Sequence, residues 1–75
     1  MTTPDPVSWK VVEQGWKVLD ESGEQIGRVR EITGDAEADI FDGVEVSHGL
    51  LLEKREYIPS ERVVDIRVGE VIVRT

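Results

Sequence analysis

The chain has no cysteine, one histidine, one tyrosine and one phenylalanine, and its longest uninterrupted apolar runs are three residues, at 50–52 and 71–73. Without cysteine there are no disulfides and no thiolate metal sites, and redox chemistry says nothing about the compartment. Runs this short fall far below the roughly 20 apolar residues that cross a bilayer as a helix, and residues 1–6 have neither the charged nor the apolar region of a signal peptide. The expectation is a soluble, cytoplasmic chain with no membrane insertion. Catalytic signatures are missing too: no G-x-S-x-G, G-x-G-x-x-G or P-loop spacing occurs. A lone imidazole, His48, cannot build a structural zinc site without other strong ligands. It reads as a solvent-facing residue on a hairpin loop, and the adjacent Ser47 projects to the opposite side of an extended segment. A catalytic role would need a concave pocket around His48 with Asp or Glu in reach. No enzyme and no cofactor are expected.

What is present favours strands. Twelve valines and six isoleucines stand against two alanines and four leucines, and β-branched side chains suit a pleated, half-buried surface better than a helix. Seventy-five residues allow one domain, at a size where the core contributes about 3 to 5 kcal/mol net, so oligomerisation is the expected help. Charge is uneven. Residues 20–45 hold nine acids and two arginines, and the remainder holds seven residues of each sign, so the whole net charge of −7 sits in that segment. An acidic chain repels phosphate backbones, which argues against direct nucleic-acid binding and for a basic protein partner.

Residues 41–66 organise the rest. Val44 and Val46 alternate around Glu45, and Leu50 and Leu52 around Leu51, on either side of Ser47-His48-Gly49. A three-residue loop with Gly49 in the left-handed conformation predicts Val46 opposite Leu50 and Val44 opposite Leu52, with Leu51 pointing outward. The charged run from Glu53 to Glu56 predicts a break near Lys54. Pro59 then makes a corner in which Ser60 caps a single helical turn reaching Arg62. Val64, Ile66 and Val68 alternate with Asp65 and Arg67. Gly69-Glu70 reads as a two-residue turn pairing Val68 with Val71 and Ile66 with Val73, leaving Arg67 and Ile72 outside.

Toward the N-terminus, residues 1–6 are expected to form a flexible tail and residues 7–14 an arm anchored by Trp9. In the arm, Val7, Trp9 and Val11 fit a strand and Trp9, Val12 and Trp16 fit a helical turn, a short helix or irregular segment being preferred. From Trp16 to Ile32 the pattern is strand, turn and strand, with turn chemistry at Asp20 to Gly23 and a bulge, bend or close packing at Gly27. Residues 33–41 read as an acidic loop. Asp35, Glu37 and Asp39 are spaced like the start of a calcium loop, and with Asp42 they form an alternative site for a small ligand or divalent cation within residues 35–42. The match then fails, because the glycine position of such a loop holds Ile40 and the bidentate-glutamate position holds Val46.

Together, Gly15-Trp16-Lys17-Val18, Asp20 with Gly23, Ile26-Gly27-Arg28-Val29, residues 41–46, Tyr57-Ile58-Pro59, residues 63–66 and Val71-Ile72-Val73 resemble the PRC-barrel superfamily. That superfamily includes the cytoplasmic domain of the photosynthetic reaction-centre H subunit and the C-terminal domain of a ribosome maturation factor. The chain is similar to its short, stand-alone members. The resemblance implies an all-β fold over residues 15–75, a small, highly bent antiparallel barrel of five or six strands with one helical turn near Ser60 to Arg62. Gly23, Gly27, Gly49, Pro59 and Gly69 are its expected fold-defining positions. No shared catalytic set comes with it.

Recognition is the function that remains: a non-enzymatic interaction or adaptor module, with a homodimer or another protein as partner. The residues expected to carry it are outward apolar side chains, Leu51 and Ile72, joined by Trp9 or Leu19.

Overall fold

The computed structural model describes residues 8–48 and 54–74. Six strands form, β1 (Lys17–Leu19), β2 (Gln25–Asp35), β3 (Ile40–His48), β4 (Lys54–Pro59), β5 (Val63–Arg67) and β6 (Glu70–Val73), with short 3-10 turns at Trp9–Val11 and Ser60–Arg62. They make one sheet in the order β4-β3-β2-β1-β6-β5. Flat, the outer strands of six would lie about 24 Å apart, five inter-strand spacings. Yet β4 and β5, the two outer strands, are joined by Ser60–Arg62 alone, and a connection that short reaches no more than about 14 Å. The sheet must therefore roll until β4 and β5 come close at this corner. This is the expected small, bent all-β barrel, with its helical turn at the corner.

Four of the five pairings are antiparallel; the exception is β1 with β6, which run parallel with Lys17 opposite Glu70, Val18 opposite Val71 and Leu19 opposite Ile72. Hairpin rules govern only strands adjacent in sequence. Rolling the sheet brings its first and last strands side by side, and their direction follows from closure.

The core is Val18, Val29, Val44, Val46, Ile58, Ile66, Val71 and Val73, all buried. Strict alternation would not bring all of it inward. Val29 and Ile32, Phe41 and Val44, and Val63 and Ile66 are each three apart, and all contribute to the same core or pack on it. Each pair straddles one extra residue with no partner in the ladder: Arg30 in β2, Asp42 in β3 and Val64 in β5. A bulge swings the strand by one position and increases its twist, so each also helps the sheet curl. A further bulge places Ile26, one residue before Gly27, as the extra residue opposite β1. At Gly27 itself a Cβ would lie 2.6 Å from Val46 Cγ1 and 2.7 Å from Ser47 O, so its role is close packing of β2 on β3.

Four local expectations change. In the β3–β4 hairpin Val46 faces Glu56 and Val44 faces Ile58, not Leu50 and Leu52. The leucine run mimics a strand partner, but the buried side chain that completes this layer is Ile58; Gly49 and Leu51 lie outside the described residues. Ser60 begins its turn instead of capping it: Pro59 is at the cap, no side chain caps there, and the Val63 amide closes onto Ser60 O. The last hairpin turns at Val68-Gly69, with Arg67 opposite Glu70. Gly69 takes φ +86° at the second turn position, where a type II turn requires it, and Val68 is exposed, not inside. Finally, Asp35 pairs with Ile40, so the acidic loop shrinks to residues 36–39.

Candidate functional site

Ser8 opens the N-terminal arm by accepting a hydrogen bond from the Lys10 amide at 3.2 Å, and the single turn that follows presents Trp9 to the barrel. The Trp9 ring stacks on Phe41 with centroids 5.4 Å apart and planes inclined by 13°. Its Nε1–H donates to Asp39 Oδ1 at 3.1 Å, and Lys10 Nζ reaches the same oxygen at 3.5 Å. Space for the ring exists because residue 34 is glycine: a Cβ there would run into the Ile40 carbonyl oxygen and stand 2.9 Å from Trp9 Cη2. The arm, the β2–β3 turn and the start of β3 are thus fastened together.

Beside this stack lies a groove of about 340 Å³. Ser8, Trp9 and Phe41 form one wall, and Ser60 with Val63, Val64, Asp65 and Ile66 form the other. Five of these eight lining residues are apolar and three are polar, a mixture common in recognition pockets. Val64, the bulged residue of β5, is 42% exposed and lines the groove. Asp65 Oδ1 accepts from the Ile66 amide at 2.9 Å, and Asp65 Oδ2 pairs with Arg67 at 2.6 Å.

A second groove of about 320 Å³ is lined by Ile26, Val46, His48, Glu56 and Arg62. His48 ends β3 half-buried in this concavity, not on an exposed loop, because the hairpin extends further than its local pattern implied. Its Nε2 lies 3.9 Å from Glu56 Oε1, and Arg62 Nη1 lies 3.6 Å from Glu56 Oε2. Both features that a catalytic role for His48 requires, a concavity around it and a carboxylate in reach, are thus present, and among the described residues the lining adds no hydroxyl or thiol nucleophile. Ser47 is buried, one position along the strand.

Of the residues expected at an interface, Trp9 lines the first groove, while Leu19 and Ile72 sit directly opposite each other on β1 and β6. Both are half-buried and face away from Val18 and Val71. Leu51 lies outside the described residues. Of the acids of the alternative cation site, Asp35 Oδ1 accepts from the Glu37 and Ala38 amides at 3.1 and 3.2 Å, Asp39 holds Trp9 and pairs with Lys10, Asp42 is the bulged residue of β3, and Glu37 is exposed. Among the described residues, no three His, Cys, Asp or Glu side chains come together in a way that could hold a metal ion. Sequence reasoning missed Phe41, Val63, Val64 and Ile66 as groove residues. The odd spacing of Val63 and Ile66 was the available signal for the bulge that exposes Val64.

A rolled six-stranded sheet with a groove beside its corner defines a small β-barrel. The PRC-barrel domain model matches residues 14–75, and the chain belongs to that family. No curated protein matches it. PRC-barrel domains are protein-interaction modules and generally non-catalytic. No helix among the described residues is long and apolar enough to cross a membrane.

Proposed function

We propose that this chain is a non-enzymatic interaction module that receives a side chain of a protein partner in the groove between Trp9-Phe41 and β5. The observation that carries this reading is the fastening of Trp9. An indole stacked on Phe41, hydrogen-bonded to Asp39 and seated over Gly34 is held in place before any partner arrives, and a pre-organised aromatic wall loses little entropy on binding. Opposite it, Val64 presents apolar surface that a bulge pushes toward solvent. Panning a displayed peptide library against the wild type and Val64→Gln tests this. Enriched peptides should bind the variant at least about tenfold more weakly, as expected when an apolar contact is lost from a small pocket. No enrichment, or peptides indifferent to Val64, would sink the reading.

A second reading, self-association, is favoured by one observation: Leu19 and Ile72 are cross-strand neighbours on the outer face. A small barrel gains by covering such a face with a second copy.

A further inference from the structure

The groove's two sides differ in charge, and from this we infer the chemistry of its occupant: an apolar side chain flanked by Lys or Arg, in a short segment of a partner protein. The inference rests on the interaction reading above and adds the kind of partner to it. On the β2–β3 side, Asp35, Glu37, Asp39 and Asp42 are all exposed, and they belong to the segment that holds the chain's entire net charge of −7. Asp39 is hydrogen-bonded to Trp9, a lining residue of the groove, so this acidic turn adjoins the groove. On the β5 side, Asp65 already has Arg67 and the Ile66 amide as partners. On the Trp9-Phe41 side Lys10 offsets Asp39 alone, while Asp35, Glu37 and Asp42 have no ion-pair partner among the described residues. The unbalanced negative field is therefore on that side, where it would steer a cationic flank toward the groove.

The same geometry selects how the segment docks. β5 is the last strand of the sheet, and an open edge of this kind invites an added strand. The Ile66 amide, however, is occupied by Asp65 Oδ1. Insertion of a side chain between Trp9-Phe41 and Val64 needs no such displacement, so the segment is held by its apolar anchor and its flanking cations.

Three short probe peptides with the same central phenylalanine, flanked by Lys/Arg, Ser or Glu, separate the possibilities when titrated into the ¹⁵N-labelled full chain. The Trp9 indole N–H resonance is the readout, assigned with a Trp16→Phe variant. The basic peptide should bind at least about tenfold more tightly than the Ser-flanked one, and the preference should shrink as salt shortens the range of the field. Glu37→Gln with Asp42→Asn should remove the preference and leave the Ser-flanked peptide's affinity unchanged; Asp39 is kept, because it holds Trp9. Equal binding of all three peptides, or a preference for the acidic one, overturns the inference. So do shifts by the basic peptide that bypass the Trp9 indole and ignore Val64→Gln, since charge alone would then explain them. If panning instead yields Val64-dependent peptides without basic flanks, the partner chemistry falls and the interaction reading stands. If neither probes nor library engage the groove, both fall.

Discussion

Asp20 holds the β1–β2 turn through one oxygen. Its Oδ1 accepts from Ser22 Oγ at 2.6 Å, the Ser22 amide at 2.9 Å and the Glu24 amide at 3.0 Å. These bonds favour the charged form, the Ser22 hydroxyl most and the Glu24 amide next, and they hold the carboxyl below its ordinary value. A group whose folded pKa is depressed contributes its stability in full above the unfolded value, and that contribution is lost as pH falls through the folded one. Asp20→Asn keeps an oxygen acceptor without the charge. Urea midpoints for wild type and variant should therefore differ most near neutrality and converge in acid; a gap that stays constant to the acid end would show that the carboxylate's charge does not support this turn. The turn was readable from sequence because all its determinants lie within five residues. Trp9 was readable only as an anchor, since its partners Gly34, Asp39 and Phe41 are distant in the chain and meet it only after the β2–β3 hairpin forms.

Strands were readable as elements wherever apolar residues alternate, and register failed wherever they do not. Val29 and Ile32, Phe41 and Val44, and Val63 and Ile66 break period two, and each break marks a bulge that turns both residues inward. Sequence reasoning followed alternation through Val64, Ile66 and Val68, and so placed the last turn one residue late and Val68 inside. The two registers differ in what substitution costs. With the turn at Val68-Gly69, Gly69→Ala forces a Cβ into the left-handed region and should destabilise by about 1 to 2 kcal/mol. Val68, 69% exposed, should tolerate alanine within about 0.5 kcal/mol. Were Val68 an inward residue, its truncation would cost about 1 to 3 kcal/mol instead. Gly69 needs positive φ in either turn, so denaturant melts of the Val68 variant decide between the registers, and a loss of about 1 to 3 kcal/mol there would restore the later turn.

At the scale of the whole molecule, the question is where two chains that each carry −7 can approach. The outer face of β1, β6 and β5 suits this better than the β2–β3 turn, because its charges are locally matched: Lys17 stands opposite Glu70, and Arg67 pairs with Asp65. Leu19 and Ile72 lie among them. A dimer through this face would work against the repulsion of two net-negative chains, so added salt should strengthen it, whereas the same salt should weaken a basic segment's hold on the groove. Light scattering across a concentration range gives the test. Self-association predicts a mass that rises toward two chains, a monomer at all concentrations for Leu19→Glu or Ile72→Glu, and no change for Val64→Gln. A wild type that stays monomeric throughout, or a dimer that survives both glutamates, removes this face as the point of contact. The opposite signs of the two salt responses keep the surfaces distinguishable even if one chain uses both.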